Sequence, residues 1–213
     1  MEEISFTTDY KAILERVAKI DPVDYDRTRN FINGAVSYLS PYISRGVISL
    51  PQVARAALDN EPSAQSAEKF IQELAWREYY QQIWQARQAH IWQDLRHPQP
   101  DVERTDMISA IVKANTGITA VDEQINSLYS TGYMHNHVRM YLASIACNIA
   151  KAHWIPPSKW MYHHLLDGDI ASNNCSWQWV AGAFADKKYY CNQENINRYT
   201  MSTQQGTFLD LPY

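Results

Sequence analysis

The sequence predicts an all-helical fold arranged as one domain, and three observations carry that expectation. Apolar residues recur at three- and four-residue spacing along most of the chain, the strict alternation that strands need is nearly absent, and Pro- or Gly-bearing interruptions are short. With 213 residues, the chain is long enough to bury a sizeable core.

Taken in order, Thr8 or Asp9 caps a first helix with Ile13, Leu14, Val17 and Ile20 on one face, ended by Asp21-Pro22. A short helix is expected from about Asp24 to Asn33, stopped by Gly34. Ser37 to Gly46 reads as a hydroxyl-rich turn, and Ser49 with Pro51 opens the next helix. Glu61-Pro62-Ser63 is a break before the longest helix, about Ala64 to Ala89, with Phe70, Leu74 and Trp84 at helical spacing. After a loop at His97 to Pro100, helices are expected near Asp106 to Ala114, Ala120 to Ser130 (closed by Gly132) and Asn136 to Ala152. Pro156-Pro157 starts another that carries Trp160, Leu165 and Leu166, and a last long one opens near Ile170. Beyond about Tyr190 the apolar period fades, so residues 191–213 are expected to form an irregular tail packed on the body.

The formal charge of -4 argues against a protein held on nucleic acid by bulk charge. The charge is uneven, however. No acidic residue stands between Glu123 and Asp167, while Arg139, Lys151, Lys159 and five of the seven histidines do, so an anionic ligand would find a partner there. Three cysteines without C-x-x-C spacing, an acidic and polar M-E-E-I-S start, and the lack of a spanning apolar run together lead us to expect a soluble cytoplasmic protein. No G-x-S-x-G stands at a strand-helix turn, which leaves a hydrolase triad unsupported. The histidines cluster, but without H-E-x-x-H and with spacings that point neighbouring side chains apart, so no metal site is expected.

The densest polar stretch is His163 to Val180, H-H-L-L-D-G-D-I-A-S-N-N-C-S-W-Q-W-V. It sets Asp167 and Asp169 across Gly168, then Asn173 and Asn174, then Trp177 and Trp179. Gly168 permits a backbone turn that other residues resist, delivering two carboxylates to the mouth of a helix. A helix N-cap at Asp169 with core tryptophans is one account of this stretch; a lined pocket is the other.

The runs T-G-Y-M-H-N-H-V-R-M (131–140), L-L-D-G-D-I-A-S-N-N-C-S-W-Q-W-V-A-G (165–182) and E-L-A-W-R-E-Y-Y (73–80) resemble, in the same order, the flavin-binding helical domain of DNA photolyases and cryptochromes. The resemblance covers about Tyr25 to Tyr190 and leaves unmatched the N-terminal α/β antenna domain that photolyases carry. It implies a bent FAD in a helical bowl. Tyr25, with Arg29 and Phe31, matches the family's Y-x-x-x-R-x-F stretch, and Ser37, Leu39 and Ser40 match the loop that receives the FAD phosphates. Val36 stands where the family has threonine. The resemblance also assigns Phe70, Arg77, Asn136, Arg139, Asp167, Asp169 and Asn173 to the cofactor, with Arg139 paired to Asp167 behind the ring and Asn173 facing flavin N5, able to accept or donate.

It further implies a light-driven activity. Trp177 and then Trp154 match an electron relay to the flavin, whereas the third relay tryptophan is unmatched, leaving Trp92, Trp84 or Trp160 as substitutes. Glu73, Trp76, Asn136, Met140 and Trp179 match the residues that receive a flipped cyclobutane pyrimidine dimer, with Glu73 sharing a proton with it. Two rim positions depart from the family, since His137 and Asn192 stand where it has phosphate-gripping arginines. Two functions stay open: a photolyase-like enzyme acting on pyrimidine dimers in DNA, single-stranded or flipped out, and a cryptochrome-like FAD sensor of light or redox state that works through a partner protein or a homodimer.

Overall fold

In the computed structural model, residues 4–61 and 63–211 are described; the expectations at Met1 to Glu3, Pro62 and Pro212 to Tyr213 lie outside the described residues. Helices form throughout, and among the described residues the only β pairing is an isolated bridge between Arg104 and Ala152. The all-helical expectation therefore holds.

Helix α1, Tyr10–Ala18, is capped by Asp9, whose carboxylate accepts from the Lys11 and Ala12 N–H groups. Helix α2 is Pro22–Thr28, starting and ending earlier than expected. Pro22 sits at its first turn behind the Asp21 cap. It ends at Thr28 because the Thr28 hydroxyl donates to Asp24 O and accepts from the Ala35 N–H. The stretch read as a turn holds a short helix, α3, Ser40–Ser44. Helix α4, Leu50–Asp59, opens with a reciprocal Ser49–Gln52 capping box. These elements bury Ile13, Val17, Tyr42 and Val53 in one core cluster, which Phe70 of the next helix completes.

Helix α5 spans Glu68–Arg87. Of its twenty residues Phe70 alone is buried, so its aromatic stripe does not face a core. The predicted helix near Asp106 to Ala114 shrinks to α6, Ser109–Val112, because Ala114 turns to φ 48°. Helix α7, Thr119–Thr131, is closed by Gly132 at φ 70° as expected.

Helix α8 runs Asn136–Ser144 and widens into a π turn, Ile145–Ile149, stopping short of Ala152. Asn148 ties that turn down by donating to Val180 O and Tyr189 O. Helix α9, Ile155–His164, starts at the two prolines but ends before Leu165 and Leu166. Helix α10, Ile170–Ala181, is closed by Gly182 at φ 77°. It packs against α5, α8 and α9, and with α7 it frames the larger core cluster, which includes Trp154, Trp177, Tyr141 and Met161.

The tail is not irregular. It holds α11, Gln193–Thr200, and a 3-10 turn, Phe208–Asp210. The apolar period misses α11 because Ile196 is its one fully buried apolar side chain; polar contacts do the rest, including Tyr141 Oη to Asn195 Oδ1 and Thr207 Oγ1 to Gln193 Oε1.

Gly34 is required by space. A Cβ there would stand 2.0 Å from the Thr28 carbonyl oxygen, which is backbone and cannot move aside. Gly206, at φ 72°, has open space around it. Gly34→Ala should cost at least about 3 kcal/mol and Gly206→Ala only about 1 kcal/mol, read from urea unfolding midpoints; equal losses would contradict this assignment.

Candidate functional site

The elbow between α9 and α10 organises the site. Asp167, which is 8% exposed, receives Arg139 Nη2 of α8 on both oxygens at 3.1 and 3.0 Å. Arg139 Nε donates to Met134 O at 2.8 Å, so the guanidinium is held from both ends. Two residues on, Asp169 caps α10 by accepting from the Ser172 N–H at 2.7 Å. Its other oxygen accepts from Arg77 Nη2 at 3.2 Å and from Gln81 Nε2, both on α5. Asp169 is therefore both an N-cap and a site residue. Ser44 Oγ of α3 lies 3.3 Å from Arg77 Nη2 and donates to Asp167 O at 3.0 Å, which ties a further helix to the elbow. Gly168 contributes room rather than an unusual φ, since a Cβ would press on Tyr162 O at 3.0 Å and Leu165 O at 3.1 Å.

Around this elbow α5, α8 and α10 enclose a cleft of about 1170 Å³. Its lining includes Glu73, Trp76, Arg77, Asn136, Arg139, Met140, Asp167, Asp169, Asn173, Trp177 and Trp179. Three distant stretches of sequence thus converge on one cavity. The other predicted residues lie elsewhere. Tyr25, Ser37 and Phe70 line a separate pocket of about 430 Å³ beside α1. Leu39 is core, and Ser40 opens α3, its carbonyl 2.8 Å from Ser44 Oγ and sharing that hydroxyl's single proton with Asp167 O. Trp154 is fully buried behind the cavity wall.

Polarity inside the cleft is specific. Asn173 Nδ2 donates to Ser158 O and to Asn174 Oδ1, each at 3.1 Å. The Ser158 carbonyl can only accept, which fixes the amide orientation, and both amide hydrogens are engaged. What Asn173 offers a ligand is therefore its oxygen, an acceptor, whereas the sequence left donor and acceptor roles open. Ser172 Oγ is buried on the same lining without a protein partner, a hydroxyl that a polar ligand would satisfy. At the rim, Trp76 and Trp179 are 46% and 41% exposed, with Trp179 stacked on Tyr189 at 5.9 Å. Trp177, by contrast, is 3% exposed.

Rim cations are mostly paired. Lys69 Nζ is 3.1 Å from Glu73 and Arg96 Nη1 is 3.0 Å from Asp186. Arg29 lies 3.0 Å from Asp26 and 3.9 Å from Glu73. His137 packs on the Tyr141 and Tyr199 rings at 5.0 and 4.7 Å, and Asn192 caps α11. Sequence reasoning missed Gln81, Ser44 and Ser172. Only Gln81 left a signal, being one turn beyond Arg77 on the same helix face.

The cavity exceeds the roughly 300–1,000 Å³ usual for small-molecule sites, and its orphan hydroxyl, amide acceptor and aromatic walls suit a large heteroaromatic cofactor. Residues 70–210 match the family described as the FAD binding domain of DNA photolyase. The chain belongs to that family, and its cofactor is FAD. It is 33% identical over 168 residues to the deoxyribodipyrimidine photo-lyase of Streptomyces griseus and 34% identical over 179 residues to that of a Synechococcus strain, in each case across 78% of this chain and 36% of the relative. It therefore spans about a third of the length of these relatives. A bacterial class III photolyase structure from Agrobacterium tumefaciens superposes with a TM-score of 0.75 at 25% identity, over 91% of this chain and 45% of that one. The Synechocystis cryptochrome structure gives 0.79 at 25% identity, over 92% and 44%.

His135 caps α8 beside the site and accepts from the His137 N–H at 3.2 Å. Burial first, then the His137 and Arg139 charges, lowers its pKa to about 4. A folded-state value below the unfolded one of about 6.5 means that the unfolded chain binds more protons between these values. Stability is then full above about pH 6.5 and lost as pH falls toward 4, by up to about 3 kcal/mol. His135→Asn, which keeps a capping oxygen, should flatten the urea-measured stability profile over that window; an unchanged slope would contradict the assignment.

Proposed function

We propose that this chain holds FAD in the cleft and, under blue light, repairs cyclobutane pyrimidine dimers in DNA. The observation that carries the reading is the convergence of the three resemblance-bearing stretches on one cavity whose inner wall is Trp177 and whose rim is two exposed tryptophans. The chemistry supplied by bound FAD is one-electron transfer on illumination, lent to the dimer and returned after the ring opens.

The protein's part is binding and orientation. Arg77, Arg139, Asp167 and Asp169 fix the polar end of the cavity as mutually neutralised pairs. Asn136 and Met140, one helical turn apart on α8, line the space beside them. Asn173 presents its amide oxygen to the flavin ring, and Ser172 its hydroxyl to whatever polar atom lies against it. Trp76 and Trp179 give flat apolar walls for displaced bases, and Glu73, on the same lining, is the proton partner. The resemblance gives Tyr25, Ser37, Leu39, Ser40 and Phe70 to the cofactor, but Tyr25, Ser37 and Phe70 line the separate pocket beside α1 and Leu39 is core, so the cleft meets the cofactor through its own lining. Trp177, backed by Trp154 in the same buried cluster, supplies electrons that bring the flavin to its reduced form. The three cysteines are free buried thiols, which suits a cytoplasmic setting. Among the described residues no helix is long and apolar enough to cross a membrane.

Specific observations favour a second reading, a cryptochrome-like sensor acting through a protein partner or homodimer. The likeness to the Synechocystis cryptochrome is as strong as that to the photolyase. Paired rim cations such as Lys69 and Arg96 also leave little free charge for a phosphate backbone.

The deciding experiment illuminates FAD-loaded, chemically reduced protein with a dimer-containing oligonucleotide, single- or double-stranded. Repair is expected, more on the single strand; none on either, with FAD retained, would favour the sensor reading. Glu73→Ala should lower repair yield about tenfold or more while FAD content stays constant, and an equal loss of both would place Glu73 in cofactor binding instead.

A further inference from the structure

Trp154 is fully buried, and its indole N–H donates to Asp94 Oδ1 at 2.7 Å. Asp94 Oδ2 accepts from the Gln99 N–H at 2.9 Å, and His153 Nε2 lies 3.6 Å from Oδ1. The Asp94 side chain is 22% exposed, so one carboxylate touches a buried indole on one side and solvent on the other. Among the described residues no other tryptophan N–H meets a carboxylate. Trp160 Nε1 faces the Tyr129 hydroxyl at 3.2 Å. The Trp92 ring lies under Lys159 Nζ at 5.1 Å, and a cation there makes loss of an electron from that ring harder. The ring neighbour of Trp154 is the His153 imidazole at 6.0 Å, not a further tryptophan.

An indole that has lost an electron is a far stronger acid than the parent. We propose that Asp94 takes the N–H proton of oxidised Trp154, so that the electron relay ends in a coupled proton transfer rather than on a surface tryptophan. The proposal rests on the flavin reading above. One electron leaves Trp177 for photo-excited oxidised flavin, and one electron from Trp154 refills Trp177. The Trp154 N–H bond then breaks and the proton passes along the existing hydrogen bond to Asp94 Oδ1. The flavin is reduced by one electron and Trp154 oxidised by one; the indole becomes a neutral radical and Asp94 a neutral acid. With no positive charge left on the ring, the electron is held back from returning.

Asp94→Asn tests this, because an amide oxygen still accepts the indole N–H but cannot take its proton. In FAD-loaded oxidised protein, transient absorption after a blue flash should show a long-lived neutral tryptophan radical, formed more slowly in D2O. The variant should show the cation radical, without that isotope effect, and with charge recombination about tenfold or more faster. In flavin-free protein the Trp154 indole N–H resonance, assigned with Trp154→Phe, should stay near its place in Asp94→Asn and move in Asp94→Ala. Identical spectra and decays in wild type and Asp94→Asn would overturn the proposal, as would a neutral radical that persists in Trp154→Phe. FAD uptake with no tryptophan radical overturns it while leaving cofactor binding intact; failure to take up FAD removes the functional reading and this step together.

Discussion

Two aspartates separated by one glycine, each matched to an arginine from a different helix, hold this structure in the form that makes a cavity. Asp167 is tied to α8 through Arg139 and Asp169 to α5 through Arg77, while the same short elbow joins α9 to α10. These pairs are partly buried, with the Arg77 and Arg139 side chains 17% and 21% exposed, so leaving one partner uncompensated costs less than the roughly 3–5 kcal/mol of a fully buried pair. The elbow therefore has one low-energy arrangement, and it sets four helices, α5, α8, α9 and α10. The cavity is a consequence of that arrangement.

The second constraint is what α5 does not do. A twenty-residue helix with a single buried side chain is a poor core element, and its aromatic residues Trp76 and Tyr79 are both 46% exposed. Their neighbours are one another and Phe184, through Tyr80, at ring distances of 5.8 to 6.4 Å. Exposed apolar area of this kind, bordered by Glu73, Lys69 and Arg96, is the signature of a binding surface rather than of packing. Stability is instead concentrated behind α10, where Trp154, Tyr141 and Leu142 are wholly buried. A rigid interior thus supports an open aromatic mouth.

Much of this was legible in the sequence. Helical spacing found α1, α4, α5, α7, α9 and α10, and Asp9, Ser49 and Gly132 marked their ends through cap chemistry that acts locally. The misses share a cause. Helix α11 has too few apolar residues for periodicity to register, and its stability comes from hydrogen bonds to residues far away in the chain, such as Tyr141. Helix α2 ends early because a hydroxyl seven residues upstream of Ala35 claims that residue's N–H. The cavity residues were found through motif resemblance, whereas Ser44, Gln81 and Asp94 act through partners 123, 88 and 60 residues distant. Apart from Gln81's place one turn beyond Arg77, nothing in the local sequence marks such contacts. The single-acceptor state of Asn173 likewise depends on Ser158, and only the folded chain reveals it.

The central claim is that this cleft is a flavin site. Its most direct test is to titrate flavin-free protein with FAD, separate the mixture by gel filtration, and measure visible absorbance together with tryptophan emission. One FAD per chain should travel with the protein and quench its tryptophan emission, much of that quenching disappearing in Trp177→Phe. Flavin that elutes free, with emission unchanged, would contradict the account.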